Sequence, residues 1–401
     1  MQILIADQFP QKHLEGLRNL GLTVDYRPEL KSPALPEAAR QASILVVRST
    51  EVDARVFSQA TCLSLVVRAG AGVNTIDVKA ASARGVYVAN CPGQNAIAVA
   101  ELTWGLILAL DRHIPDNVAA LRDGRWNKKK FSEARGLHGR TLGILGIGNI
   151  GRAVGRRALA FGMVVVAHSR SLTDAKARAL GFEHAESALA VARRSDVFTV
   201  HLPASSETKG IVSAQVLAAL PSGAFFVNAA RADVVDQAAL LAEARSGRIW
   251  VATDVFEQEP KTGEAEFHSE LASLPNVYGT HHIGASTDQA QEAIALETVR
   301  IVDTFLKEGV VPNCVNIAER TPARYQLIVR HYDRVGVLAN VLDSIREAGI
   351  NAQEIDNTVF EGADAACCKI QLDSRPSEEV LGRIRGRSDE VIFADLIELR
   401  R

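Results

Sequence analysis

Two histidines stand side by side, His281 and His282, in the stretch VYGTHHIGAST (277–287). Imidazole gains and loses a proton near neutral pH, so a histidine at a strand end is a candidate general acid or base. Two other reactive side chains occupy comparable places upstream, Arg231 in NAARADVVD and Glu259 in DVFEQEP. A guanidinium forks onto a carboxylate and polarises a carbonyl. A carboxylate orients an imidazole and favours its charged form. Cation, carboxylate and imidazole are together what hydride transfer between a nicotinamide and a hydroxy acid requires. Glu257 competes with Glu259 for the carboxylate role, and His281 with His282 for the proton. Neighbours in a strand point to opposite faces, so only one of the two histidines is expected to face a cleft.

A second chemistry lies earlier in the chain. GIGNIG (146–151) is a G-x-G-x-x-G turn between the apolar run TLGILGIG and the helical pattern IGRAVGRRALAFG. Gly146, Gly148 and Gly151 permit a tight turn and close approach of backbone N–H groups to a pyrophosphate, backed by the positive end of the helix. The strand before and the helix after lift the motif above a chance match. The following run, VVVAHSRS, ends on Ser169, where an Asp or Glu commonly holds the ribose hydroxyls of NAD. A missing carboxylate with Arg170 beside it suits the 2′-phosphate of NADP. The alternative is a solvated arginine with NAD held by other contacts, so the expected cofactor is NAD or NADP with a tilt to NADP.

These groups need a scaffold that gathers strand ends. ILVVR (44–48), SLVVRAG (64–70), VYVAN (86–90), TLGILGIG (141–148), MVVVAHS (163–169), VFTVHLP (197–203), AFFVNAA (224–230) and WVATDVF (250–256) alternate with helical patterns. Continuous apolar runs suit strands covered on both faces, and hence doubly wound α/β domains with parallel sheets. Long helices expected over 95–115 and 286–309 bracket much of this block. The second opens on a Ser/Thr cap and stops at Gly309, before Pro312. The bracketing predicts a Rossmann-like dinucleotide domain (97–285) inserted into a flavodoxin-like substrate domain (1–96 and 286–312). A linker is expected over 313–321. Residues 322–401 then read as strand, helix, two strands, helix, strand, with EGAD as the hairpin turn: a ferredoxin-like βαββαβ domain.

Composition excludes more than it selects. The 401 residues, 47% hydrophobic, are enough for two or three globular units. A net charge of −2 gives no reason to expect nucleic acid or an anionic membrane as partner. No apolar run approaches the roughly 20 residues of a membrane span, and MQILIADQFP reads as a first strand rather than a secretory leader. Cys62, Cys91, Cys314, Cys367 and Cys368 are scattered without metal spacing. No metal site is expected, and a reduced cytoplasmic chain is the simple reading.

Several motifs occur in a fixed order: AGAGVNTIDV, CPGQNAIAVAEL, DGRWNKKKF, FSEARG with TLGILGIGNIG, NAARADVVD, DVFEQEP and HHIGAST. In these the chain resembles the D-isomer-specific 2-hydroxyacid dehydrogenases, over essentially its whole length, with a tail similar to an ACT domain. The family pattern Pro-His-Ile-Gly makes His282 the acid/base and puts His281 at the usual proline position. A carboxylate directly before proline makes Glu259 its partner, and Arg231 takes the substrate carboxylate. The resemblance further implies cofactor contacts from Gly146, Gly148, Asn149, Ile150, Gly151, Ser169, Arg170, Pro203, Ala229, Arg231, Asp254 and His282, with Asp254 on the nicotinamide carboxamide. For the substrate it implies Arg48 on a phosphate, the backbone of Ala71 and Gly72, and the side chain of Asn95, with Arg68 adding to the positive field.

Trp126 and Lys128 resemble a family segment that reaches into a neighbouring subunit's cleft, which implies a homodimer or homotetramer. The branch with this layout oxidises 3-phospho-D-glycerate to 3-phosphohydroxypyruvate, the first step of L-serine biosynthesis. Its tail implies an L-serine effector site at paired ACT domains, here His331, Asp333 and Asn351. Asp333 stands where Asn is usual, and Val335 where Pro is usual. Two other readings stay open: an NADPH-dependent glyoxylate/hydroxypyruvate reductase, and a dinucleotide-sensing, corepressor-like binding protein.

Overall fold

The computed structural model describes residues 1–260 and 264–399. The chain divides into two compact units, Met1–Asn316 and Ile317–Arg401. The first sheet of the larger unit has five parallel strands: β1 (Gln2–Ile5), β2 (Thr23–Tyr26), β3 (Ile44–Val47), β4 (Leu65–Arg68) and β5 (Tyr87–Asn90). Their order, β2-β1-β3-β4-β5, is the flavodoxin-like one. Every residue of β3 is buried, because both faces of the sheet are covered. Alternate side chains feed two cores. Ile3, Ile5, Ile44 and Val46 share one with Ile294, Ile301 and Val302 of the helix Asp288–Glu308. Leu4, Leu45 and Val47 share the other with Val56 and Phe57. The edge strand β2 has no fully buried residue, so it carries no apolar run to read in the sequence.

The second sheet holds β6 (Thr141–Leu145), β7 (Val164–His168), β8 (Glu183–His184), β9 (Val197–Val200), β10 (Phe225–Asn228), β11 (Trp250–Thr253) and β12 (Val277–Gly279). All are parallel, in the order β12-β11-β10-β9-β6-β7-β8. The strand order reverses at β6, so a crevice opens at the C-terminal ends of β6 and β9. One face of this sheet shares a core with Trp104, Ile107 and Leu110 of the helix Ala96–Arg112.

Two boundaries differ from expectation. The helix expected over 95–115 is two helices: Ala96–Arg112 ends at His113, which takes a left-handed φ of 49°, and Ile114–Arg122 follows. Pro115 forces the break, since its ring in a continuous helix would clash with the carbonyl of residue 111. The helix Asp288–Glu308 keeps its expected ends. The Thr287 side chain accepts a hydrogen bond from the Ala290 N–H, and Gly309 closes it at φ 69°.

The linker expected over 313–321 begins later. The Val315 N–H donates to the Val88 carbonyl at 2.8 Å, and the Asn316 amide bonds both Val88 and Val86. Cys314 bridges antiparallel to Ala89. The open edge of β5 carries unpaired backbone groups, and Asn313–Asn316 satisfies them as part of the larger unit. Among the described residues no helix is long and apolar enough to cross a membrane, and no cluster of His, Cys, Asp and Glu is arranged to hold a metal.

The smaller unit, taken by itself, is an antiparallel sheet of β13 (Tyr325–Tyr332), β14 (Ala352–Val359), β15 (Ala365–Leu372) and β16 (Val391–Glu398), in the order β14-β15-β13-β16. Its core joins Leu327, Val329, Cys368 and Ile370 to Val341 and Ile345 of one helix and Leu381 and Ile384 of another. The connectivity is βαββαβ, with the EGAD turn (361–364) carrying left-handed backbone at Gly362 and Ala363. Arg400 and Arg401, at the end of the expected domain, lie outside the described residues.

Candidate active site

A cavity of about 570 Å³ in the larger unit is lined by loops that follow the C-terminal ends of strands in both sheets. His282 sits at its wall, in a loop rather than a strand. β12 ends at Gly279, so the alternation expected to separate the two histidines does not operate. The loop itself separates them. Asp254, 1% exposed, accepts from the Thr280 hydroxyl (2.6 Å), the Ile283 N–H (2.9 Å) and the Gly284 N–H (2.8 Å). Pinned on both sides, His282 adopts φ 53°, a conformation uncommon for side chains other than Gly, Asn, Asp and His. Its Nδ1–H donates to Glu259 Oε2 at 2.6 Å. Nε2 is left as the atom available for a substrate. His281 does not line that cavity but an adjoining hollow of about 450 Å³, shared with Glu259, Phe256 and Phe267, and His282 borders both.

Glu259 is held in turn by the Phe256 N–H, which donates to its Oε1 at 2.8 Å. Burial pushes its carboxyl up. The hydrogen bonds from His282 and Phe256, with the charges of His282 and Arg231, outweigh that and hold it below the usual carboxylate range. Glu257 lines a different hollow, with His268 and Glu270. Arg231 lies across the cavity wall, its loop braced by Asn228, whose amide bonds the Arg231 carbonyl and the Ala230 N–H. Burial lowers the Arg231 pKa, and the carboxylates of Glu259 and Asp254 oppose the shift.

Arg231 is one of three neighbouring guanidinium groups. Arg68, also on the cavity wall, is pushed down by burial and then by the positive charges of Arg231 and Arg48. Gly70 makes room for it, since a Cβ there would fall 1.6 Å from Arg68 Nη1. A Cβ on Gly72 would come within 3.2 Å of Arg231 Nη2. Ala71 is fixed by Asn90, whose amide donates to its carbonyl at 2.6 Å. Arg48 is anchored through its N–H to Asp7 (2.6 Å) and through Nη1 to Gln291 (3.2 Å), and it is not among the cavity-lining residues. Asn95 begins the helix Ala96–Arg112 without capping it, and lines the cavity.

The Gly-rich turn fits a dinucleotide. The Gly146 N–H donates to the His168 carbonyl, and a Cβ on Gly146 would sit 2.4 Å from the His201 carbonyl oxygen. A Cβ on Gly151 would lie 2.0 Å from the Gly146 oxygen. Gly148, by contrast, faces open space with no atom within 4 Å. Two glycines therefore close the turn, and the third leaves room where a pyrophosphate would approach the N-terminus of the helix Asn149–Ala160. Asn149, Ile150, Pro203 and Ala229 line the same cavity.

Not every expected residue converges. Arg170, expected either on a 2′-phosphate or in solvent, is paired with Glu207. Trp126, 81% exposed, and Lys128 lie by a shallow hollow with Leu121 and Phe131, away from this chain's own cavity. His331 is buried, and both its ring nitrogens are engaged, by the Tyr332 carbonyl and the Asn357 amide oxygen. Asn351 directly precedes β14, whose first residue pairs through Leu372 with Tyr325, at the opposite end of β13 from Asp333. The three expected effector residues thus do not meet within one chain. Sequence reading missed His201, Asn74 and Gly93 in the cavity wall. His201 directly follows β9, while Asn74 and Gly93 lie in the loops after β4 and β5, inside AGAGVNTIDV and CPGQNAIAVAEL, and that placement was the available signal. His201 is held neutral, burial lowering its pKa to about 3.

The family model for the D-isomer specific 2-hydroxyacid dehydrogenase NAD-binding domain matches residues 104–284. The D-3-phosphoglycerate dehydrogenase of Methanocaldococcus jannaschii is 33% identical over 357 residues, 88% of this chain and 67% of that one. The chain belongs to the D-isomer-specific 2-hydroxyacid dehydrogenases. The Thermotoga maritima hydroxypyruvate reductase is 38% identical over 283 residues, 70% of this chain and 89% of its own. The NAD+-bound 3-phosphoglycerate dehydrogenase structure from Entamoeba histolytica superposes with a TM-score of 0.66 at 25% identity, covering 79% of this chain and 99% of that one. The chain spans 67% of the length of the Methanocaldococcus dehydrogenase and 59% of that of the Mycobacterium tuberculosis one. The cofactor of this dehydrogenase fold is NAD or NADP.

Proposed function

We propose that the chain oxidises 3-phospho-D-glycerate to 3-phosphohydroxypyruvate, and runs the reverse, with NAD or NADP, as the first step of L-serine biosynthesis in the cytoplasm. The observation that carries this reading is the pair of largely buried guanidinium groups on one cavity wall, Arg68 and Arg231, with Arg48 behind them near enough for its charge to act on Arg68. Gathering like charges in a partly buried site is costly without an anion to receive them. One guanidinium answers a carboxylate; the others answer a phosphate at the far end of the substrate.

In oxidation, Arg231 grips the carboxylate and leans on the oxygen that becomes the ketone. His282 Nε2 takes the hydroxyl proton, and Glu259, already bonded to Nδ1, stabilises the imidazolium. Bound nicotinamide supplies the hydride acceptor. Asp254 holds the loop that aims His282, while facing the cavity where the carboxamide is expected. Trp126 and Lys128, exposed and away from this chain's own cavity, are placed by this reading in the cleft of a neighbouring copy in a homodimer or homotetramer. L-Serine binding would likewise need two copies, with Asn351 of one smaller unit meeting Asp333 of another.

A glyoxylate/hydroxypyruvate reductase is the second reading, favoured by Ser169 at the end of β7 and by the Thermotoga relative. Initial rates with 3-phosphohydroxypyruvate, hydroxypyruvate and glyoxylate, each with NADH and NADPH, separate the two. A higher kcat/KM for the phosphorylated substrate is the expected result. Preference for the unphosphorylated acids overturns the first reading.

A further inference from the structure

We propose that Glu207 sets the choice between NAD and NADP by holding Arg170 across the Gly-rich turn. Arg170 follows β7 by two residues, and Glu207 lies in the loop after β9. These strands flank β6 on either side, all three parallel, so both loops rise at the same end of the sheet. The ion pair between them therefore spans the end of β6, where Gly146–Gly148 begins the dinucleotide crevice. Both loops are internally fixed. The Leu172 N–H donates to the Ser169 carbonyl, Lys176 Nζ to the Ser171 carbonyl, and the Thr208 hydroxyl to the Pro203 carbonyl. Pro203 and Ala204, at the base of the Glu207 loop, line the cavity.

The strand end that commonly carries the ribose-binding carboxylate has Ser169 instead. Through its pair with Arg170, Glu207 brings a carboxylate beside that strand end from the loop after β9. In that position it accepts hydrogen bonds from ribose hydroxyls, occupies the one guanidinium suited to a 2′-phosphate, and repels that phosphate by its own charge. The pair is largely exposed, 87% at Arg170 and 65% at Glu207. Such a pair is weak and opens readily, so it biases selection without blocking entry. The expected preference of the native chain is for NAD, and the arginine is a latent NADP contact.

The inference rests on the crevice being a dinucleotide site, and binding measured without substrate keeps the two apart. Calorimetric titration of the full chain with NAD+ and NADP+ should give tighter binding of NAD+. Glu207→Gln should shift the ratio of the two affinities toward NADP+ by about tenfold or more, and Glu207→Gln in an Arg170→Ala background should shift it far less. Steady-state assays should place the change in the cofactor KM with kcat preserved. If the native chain binds both nucleotides but Glu207→Gln leaves their ratio unmoved, or moves it equally with Arg170 absent, the latch is wrong. If the native chain binds neither, the dinucleotide reading itself falls.

Discussion

At the scale of single residues, the site is a chain of orientation: Asp254 fixes a loop, the loop fixes His282, and Glu259 fixes its ring. His282→Ala should therefore lose turnover while retaining NAD(H) affinity, as judged by stopped-flow proton release and nucleotide titration. His281→Ala, altering a residue of the adjoining hollow, should keep kcat within about a few-fold, as expected of a substitution away from the reacting atoms. His201 makes a prediction about pH. Its pKa falls from 6.5 to about 3 in the folded chain, so below pH 6.5 the unfolded chain binds a proton the native one refuses. The native state therefore loses stability as pH falls from 6.5 toward 3, at up to about 1.4 kcal/mol per pH unit from this group alone. Denaturant melts of His201→Asn across that range should show a shallower dependence than the native chain. An unchanged slope would mean that the imidazole is solvated.

At the scale of elements, the Gly-rich turn separates packing from binding. Gly148→Ala places a methyl in open space, so its thermal midpoint should stay near native while dinucleotide affinity falls. Gly151→Ala drives a methyl to 2.0 Å from the Gly146 oxygen and should destabilise by about 1–3 kcal/mol, as overpacking does. Paired melting and titration curves check both. This turn was plain in the sequence because its chemistry is local: strand, three glycines, helix. The same local logic found the ends of Asp288–Glu308, through Thr287 and Gly309. It failed where the decisive partner was remote. Nothing near Arg170 announces Glu207, and the strands β2 and β8 sit at sheet edges with too little burial to leave an apolar signature. The break at His113 was legible in Pro115 but was outweighed by the apolar run before it.

At the scale of the whole molecule, the candidate active site and the C-terminal sheet belong to different compact units. A chain ending at Asn316 should fold and turn over at close to the native rate, while any response to L-serine disappears; circular dichroism and inhibition assays test this. Ending it before Asn313 should be worse, because Val315 and Asn316 complete the exposed edge of β5. The expected effector residues illustrate the limit of motif matching. His331, Asp333 and Asn351 match a pattern one by one, yet the antiparallel register puts Asn351 and Asp333 at opposite ends of the same sheet. A linear sequence does not say whether matched residues meet in one chain or between two.

The backbone at His282 also restricts which sequences this loop can explore. With φ at 53°, the seat disfavours β-branched and bulky residues before any question of proton transfer arises, leaving Gly, Asn, Asp and His as its comfortable occupants. Of these, glycine and asparagine cannot shuttle a proton at neutral pH, and aspartate would set a second negative charge beside Glu259. The loop's shape thus narrows the choice to four residues, and the reaction singles out histidine among them. Drift away from histidine can therefore proceed through asparagine without disturbing the fold, producing an inactive dehydrogenase that still binds its nucleotide.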